Sequence, residues 1–497
     1  MTFVYSVGTI VFGTDSKIKA MKILVSLLLL LPLHLFAQSG GSESLLIKNV
    51  TVIDMTGAPA KQHMSVLMSE GRILSIVKGP SMRASRNATV VDGTGKFLIP
   101  ALWDMHVHVL NADRMLPLFV ANGVLGVRDL GNPNLDDILR WRAEAAAGKI
   151  VSPRILTAGK VLDGSPPANE PYSIVVKNAA EARKAVDDLK ARGVDFIKVY
   201  DVLSREAYFA IVAESKKVGL PFVGHVPTAV STIETSDAGQ KSIEHLGKIL
   251  EDSSSSPDKI KAAHETPIKE GDFFAFTTRF GKTNDAILDT YSDKKAREIF
   301  AHFRRNNTWQ VPTLVIKRGR AFIDELDAQG DPRTKYVEAS QVNYWKPQVG
   351  FFSRYRTPSY IVSQKRYFQK ELDLVGEMQR AGVKIMAGTD APNAYVIAGF
   401  GLHDELALLV KAGLTPMQAL MSATRNPAEY LGETALRGTV QKGKAADLIL
   451  LDADPLKNIT NTTRIFAVIQ NGKLLSRSDL DKILSDVEAA ASRAKDN

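Results

Sequence analysis

No cysteine occurs anywhere in the 497 residues. Disulfides, thiolate metal sites, a cysteine nucleophile and a lipidated N-terminal cysteine are all excluded, so any metal must sit on nitrogen and oxygen donors. The chain also lacks a Lys/Arg block and any basic stripe interleaved with aromatics. Its net charge of +9 is therefore a mildly basic surface, and nucleic acid is excluded as a partner. Long apolar runs are missing too, with one exception. Residues 21–37 hold a lysine, a short leucine-rich run interrupted by Pro32, and a small residue, Ala37, before Gln38. That pattern reads as a secretory signal, too short for a comfortable membrane span, with a retained anchor helix as the other reading. Met21 is then the expected start and residues 1–20 an upstream misassignment. The mature protein is expected to be periplasmic or secreted, with no stable membrane anchor.

Of the residues present, 45% are hydrophobic and 24% charged, an ordinary globular balance for one large domain and a smaller one. Alternating β-type patterns run over 45–54, 65–76 around Glu70-Gly71, and 88–92. A similar pattern returns at 446–452, 465–470 and 473–475, with Asn471-Gly472 as a hairpin turn. These two ends, 43–97 and 437–476, are expected to pair into one small β-sandwich domain. Between them, apolar strands at 98–109, 124–130, 154–159, 194–200, 220–226, 241–246, 309–315 and 382–388 alternate with helical patterns such as 179–192 and 205–218. Eight strand–helix units over 98–436 predict an α/β fold of the TIM-like (β/α)8 barrel type. Two connections, 251–307 and 317–380, are too long for simple crossovers. They are read as helical insertions forming a lid or a subunit contact, which leaves a homo-oligomer open.

The stretch Leu98-Ile-Pro-Ala-Leu-Trp-Asp-Met-His-Val-His108 ends an apolar run in two imidazoles one residue apart. On a strand, positions i and i+2 share a face, so His106 and His108 converge on one point, a candidate metal position. Further donors close later strands: Lys198 in Val194–Tyr200, His225 after Leu220–Gly224, His245 after Ser242–Glu244, and Asp390 after Val383–Thr389. Barrel enzymes place their catalytic groups at those strand ends. Lys198 discriminates most, because a lysine inside an apolar strand is costly to bury charged. Either its amine reaches solvent or a carboxylate, or it is neutral and takes up carbon dioxide. The resulting carbamate would offer two oxygens able to bridge two metals.

This set resembles the amidohydrolase superfamily, in its binuclear group with a carboxylated lysine and in the imidazolonepropionase-like and prolidase-like branch. The likeness spans nearly the whole mature chain. It rests on the 98–108 motif, Gly126-Val-Arg-Asp-Leu-Gly131, Asp195-Phe-Ile-Lys-Val-Tyr200, Gly388-Thr-Asp-Ala-Pro392, Leu414-Thr-Pro-Met-Gln-Ala-Leu420, Ala423-Thr-Arg-Asn-Pro-Ala428 and the stretch from Gly438 to Asp452. The resemblance implies two divalent ions, zinc by preference. His106, His108 and Asp390 would hold the more buried ion, His225 and His245 the more exposed one, and carboxylated Lys198 would join them. A metal-bridging hydroxide would attack a polarised carbonyl, and Asp390 would pass its proton to the leaving amine.

One departure is Pro227, which stands where prolidase-like members often carry a tyrosine. Tyr200 is a conceivable substitute, though packing against the strand end is the plainer role. Arg128 and His403 are further candidates for substrate contact. The expected function is an exported metal-dependent hydrolase cleaving an amide bond in a small molecule, a dipeptide or an N-acyl amino acid. A cyclic amide (lactam or imide) is the alternative substrate, and a non-catalytic barrel scaffold is the alternative of another class.

Overall fold

A computed structural model describes residues 44–79, 81–83, 85–269, 283–347, 349 and 357–493. The expected leader at 1–37 lies outside the described residues. No helix among those described is long and apolar enough to cross a membrane.

Strands Leu45–Val52, Lys61–Ser69, Arg72–Lys78, Thr89–Asp92 and Phe97–Pro100 join Leu448–Leu451, Ile465–Gln470 and Lys473–Leu475 in one eight-stranded sheet. The two ends of the chain meet where Phe97–Pro100 pairs antiparallel with Leu448–Leu451. The strands pair as a single mixed sheet, and its Arg72–Lys78 edge bonds back to the stretch before Leu448, as in Ala446 N to Gly71 O at 2.8 Å. Asn471 and Gly472 have φ of 51° and 78°, the double left-handed turn that Asn-Gly favours, and it pairs Gln470 with Lys473.

Ala101 divides the strand expected over 98–109. Phe97–Pro100 belongs to the terminal sheet, whereas Leu102–Val107 enters a second, parallel system. There Leu102–Val107, Val124–Asp129 and Arg154–Thr157 form one parallel arc. Ser173–Val175, Val161–Asp163, Ile197–Val199, Phe222–Gly224, Ser242–Glu244 and Trp309–Val311 form the other, in that order. Every residue of Leu102–Val107 and Val124–Asp129 is buried, as expected of parallel strands covered on both faces. One apolar cluster draws Trp103, Met105, Leu130, Leu156, Phe196, Val223, Val311 and Met386 from seven of the parallel segments or the residues beside them, skipping Ser242–Glu244.

Individual backbone bonds join the arcs. Asp195 N donates to Thr157 O at 2.9 Å, Met386 N to Gln310 O at 2.9 Å, and Met105 N to Ala387 O at 3.0 Å. No continuous eight-stranded ladder runs round the described residues. The eighth segment makes only the isolated parallel bridges Gln310–Ile385 and Val107–Ala391. Its Ala387 N–H is spent on Ser422 O at 3.0 Å instead.

Helices cover the outside. Ala179–Ala191 starts on the side chain of Asn178, and Arg205–Val218 runs from a Ser204 cap to Gly219 at φ 70°, the expected start and stop signals. The two long insertions carry Ile249–Asp252, Pro257–Lys269 and Asp293–Asn306, then Leu314–Ala321, Ile323–Gln329, Ala339–Trp345 and Pro358–Arg380.

Candidate metal centre

Four imidazoles, one carboxylate and one lysine come together where the parallel strands end. His106 and His108 close Leu102–Val107, Lys198 is central in Ile197–Val199, His225 and His245 each follow a strand directly, and Asp390 ends the eighth segment. Ring centroids of His106 and His245 are 4.4 Å apart, those of His225 and His245 5.0 Å, and those of His106 and His108 5.6 Å. Asp390 Oδ1 lies 3.0 Å from His108 Nε2 and 3.3 Å from His106 Nε2. Donor atoms of His106, His245 and Asp390 all fall within 4.8 Å of one another. His245 therefore closes on His106, whereas the resemblance groups it with His225.

Local backbone is bent to achieve this. His245 and Asp390 have φ of 58° and 64°, positions that cost a non-glycine residue of order 1–3 kcal/mol and cluster at functional sites. Gly388 allows the close approach of the eighth segment, since a Cβ there would lie 2.8 Å from His106 Cβ and 2.6 Å from Val311 Cγ1. Gly224, at φ 130°, makes room for the lysine, because a Cβ would stand 2.2 Å from Val199 O and 2.9 Å from Lys198 Cδ.

Each imidazole has its outer nitrogen occupied. Nδ1 of His106 meets Glu244 Oε2 at 2.9 Å, that of His108 meets Gly131 O at 2.8 Å, that of His225 meets Asp201 Oδ1 at 2.8 Å, and that of His245 meets Thr313 Oγ1 at 2.7 Å. A carbonyl only accepts, and so does an ionised carboxylate. The Thr313 hydroxyl gives its own proton to Pro312 O at 2.8 Å. All four rings thus carry a proton on Nδ1, which leaves Nε2 as the nitrogen turned to the shared space.

That arrangement passes a test of fit for a divalent cation. His106 Nε2 is buried without a hydrogen-bond partner among the described residues, and it faces a carboxylate oxygen of Asp390. A ring nitrogen without a hydrogen-bond partner, turned to a buried carboxylate oxygen, is a pair that a cation held between them would suit. Three of the predicted residues, His106, His245 and Asp390, form the tight trio, and His108, His225 and Lys198 border it.

Electrostatics follow from burial and these pairings. Burial pushes the Asp390 carboxyl up, but His245 and His106 outweigh it and hold the group well below the usual carboxylate range. Burial likewise drives His245 well down, helped by His106. Glu244 is held at about 2, because Arg128 and His106 overcome its desolvation. Lys198, 1% exposed, has no hydrogen bond or ion pair within 4 Å among the described residues. Burial lowers its amine to about 8 against the opposing pull of Glu244 and Asp390.

Two expected substrate contacts are corrected. Arg128 is fully buried and all its bonds are internal, to Met105 O, Ser242 Oγ, Tyr430 OH and Glu244 Oε1. His403 is 3% exposed and bonded to Thr462 Oγ1 and Asn122 O. It lies in the first turn of the helix Phe400–Lys411, on the buried face. Tyr200 stays beside the centre, its ring stacked on His225 at 4.2 Å and 27°. Pro227 is buried two residues past that histidine.

Sequence reasoning missed Glu244, Asp201, Thr313 and Tyr172, whose ring meets His108 edge-on at 5.9 Å. Glu244 did carry a signal. A carboxylate inside an apolar strand needs a buried partner for the same reason that singled out Lys198.

Residues 348–475 match the Amidohydrolase family. Among curated relatives, a 5'-deoxyadenosine deaminase of Methanothermobacter thermautotrophicus is 23% identical over 90% of this chain and 96% of its own. A dihydroorotase of Thermus aquaticus is 42% identical over 65 residues, 13% of either chain. A 5-methylthioadenosine/S-adenosylhomocysteine deaminase of Moorella thermoacetica is 33% identical over 33% of its length. The chain thus matches only a minor part of these last two proteins. Among solved structures, a Xaa-Pro dipeptidase with methionine in its active site superposes with a TM-score of 0.64 at 20% identity, over 87% of this chain and all of that one. The bottromycin amidohydrolase gives 0.67 at 23% identity, over 90% of both. At these identities the likeness is one of fold.

Proposed function

We propose that this chain, which belongs to the amidohydrolase superfamily and is a hydrolase of carbon–nitrogen bonds, cleaves the amide bond of a dipeptide or an N-acyl amino acid. We read the two parallel arcs as a TIM-like barrel closed by the segment 383–390, with the site at its C-terminal mouth. His106, His108, Asp390, His225 and His245 would hold two divalent ions, with zinc the best match to nitrogen and oxygen donors. The ions would supply Lewis-acid activation of water and of the amide carbonyl near neutral pH.

The observation that carries this reading is Lys198. A buried amine with no hydrogen bond or ion pair among the described residues, lying 5.8 Å from the Tyr200 ring centre, lowered to about 8 and enclosed by ligand groups, is accounted for when it takes up carbon dioxide. Its nitrogen would bond to the carbon, one N–H proton would leave, and the anionic carbamate would add two oxygens to the donor set. Asp390 stays ionised in the presence of the imidazoles, so its carboxylate is fit to accept a proton from the attacking water and return it to the departing amine. Tyr200 would stiffen His225 by stacking. We also read the chain as exported, on the pattern of residues 21–37.

Turnover of a dipeptide and N-acyl amino acid library by zinc-loaded protein tests the reading. Hydrolysis confined to lactams or imides would shift the substrate to cyclic amides. No turnover of any amide would leave a scaffold, or the deaminase chemistry named for two of the relatives.

A further inference from the structure

We propose that Arg128 is a positioning residue for the metal centre, acting on His106 through Glu244; this rests on the metal-dependent reading above. Arg128 heads the fully buried side chains by size, and a guanidinium withdrawn from water costs several kcal/mol unless its donors are matched. Here they are. Nε donates to Met105 O at 2.7 Å, Nη1 to Ser242 Oγ at 3.0 Å and Tyr430 OH at 2.8 Å, and Nη2 to Glu244 Oε1 at 2.8 Å. The ring centres of Tyr430 and Phe196 lie 5.1 and 5.7 Å from its central carbon. Four separate segments of the fold therefore converge on one cation.

The consequence falls on Glu244. Its Oε1 receives both the Arg128 Nη2 proton and the Ser242 hydroxyl, the latter at 2.6 Å. With that oxygen saturated, Oε2 is left for His106 Nδ1 at 2.9 Å. The carboxylate cannot swing away without breaking two bonds, so His106 is kept in one tautomer with its Nε2 aimed inward. A merely structural Arg–Glu pair would need no histidine on its far oxygen, and such pairs are often replaceable by apolar side chains at little cost. What an apolar replacement cannot do is hold an acceptor on the outer nitrogen of a ligand imidazole, an arrangement that orients the ring and strengthens it as a donor.

The test uses the full chain with Arg128→Lys, Glu244→Gln, the double variant and Tyr430→Phe. Cobalt(II) affinity is read by competition with a chromophoric chelator, and the His106 imidazole by its 15N signals. Arg128→Lys and Glu244→Gln should each weaken cobalt binding by about 10–100-fold, as loss of an outer-shell partner typically does. The double variant should lose little more than the worse single, because both act along one line. The Nδ1–H form of His106 should give way to a mixture of tautomers. Tyr430→Phe removes one anchor and should weaken binding by a smaller factor. With Glu244→Gln, it carries the test should the arginine variant not fold. Cobalt binding within about twofold of wild type in all the folded variants, or singles whose losses multiply in the double as independent sites do, overturns the role of Arg128 alone. Wild-type protein that takes up no cobalt overturns the metal-dependent reading as well.

Discussion

The Thr313 hydroxyl accepts from His245 Nδ1 at 2.7 Å while donating to the carbonyl of Pro312 at 2.8 Å. The second bond uses up the hydroxyl proton, so the imidazole must be the donor in the first. Thr313 itself sits at φ 49°, an uncommon conformation for a β-branched residue, held by the Leu314–Ala321 helix that starts beside it. A strained residue thus sets the tautomer of a candidate ligand histidine 68 positions away in the chain.

Thr313→Val keeps the shape and removes the acceptor. Its metal affinity should fall by roughly tenfold, the low end for loss of an outer-shell partner, with the melting temperature of the metal-free protein little changed. Chelator competition measures the first and calorimetry the second. Affinity equal to wild type would remove Thr313 from the site.

Purified protein should carry close to two transition-metal ions per chain, and stripping them should abolish amide hydrolysis until metal is returned. Lys198→Ala should lose both activity and metal, and short carboxylates should restore part of the activity by standing in for the carbamate. A variant as active as wild type without any rescue would take the bridge out of the mechanism.

Asp390→Asn should fold normally and lose turnover by at least about a hundredfold, the scale of general acid–base contributions. Steady-state kinetics on metal-loaded protein decides it. Unchanged kcat would move the proton shuttle to another group.

Glu405 offers a prediction on stability. Its carboxyl is buried, accepts from Val315 N at 2.7 Å, and is pushed up to about 8 by desolvation. In the unfolded chain a glutamate titrates near 4.3. Between these values the folded state binds the extra proton, so the stability contribution is complete below the unfolded pKa and is lost as pH rises through about 8. Glu405→Gln cannot ionise. Its melting temperature should therefore fall less than that of wild type from pH 5 to 8.5, and parallel curves would contradict the assignment.

Legibility in the sequence followed the range of the physics. Strand alternation and the Asn471-Gly472 turn are local, and both appear in the structure. His106, His108, Lys198, His225, His245 and Asp390 could be picked out because each closes or interrupts an apolar strand, and the structure brings them to one place. The eighth strand was legible as an apolar segment but not as a ladder, because the bond from Ala387 to Ser422 depends on how a later helix packs. Arg128 and His403 were misread as substrate contacts for a related reason. Type and position suggest what a side chain could do, whereas its partners at residues 242, 244, 430 and 462 decide which way it faces.

The chain by itself determined that any metal would be held without thiolates, which nitrogen and oxygen donors are the candidates, and that these fall on five of the eight expected parallel strands. Those follow from composition and from short periodic patterns. Only the tertiary structure decided which oxygen meets each outer imidazole nitrogen. His106 reaches Glu244 across 138 positions, His245 reaches Thr313 across 68, His225 reaches Asp201 across 24 and His108 reaches Gly131 across 23. No local pattern encodes contacts of that span. They arise when parallel strands pack side by side, and they turn four histidines into four inward-facing donors.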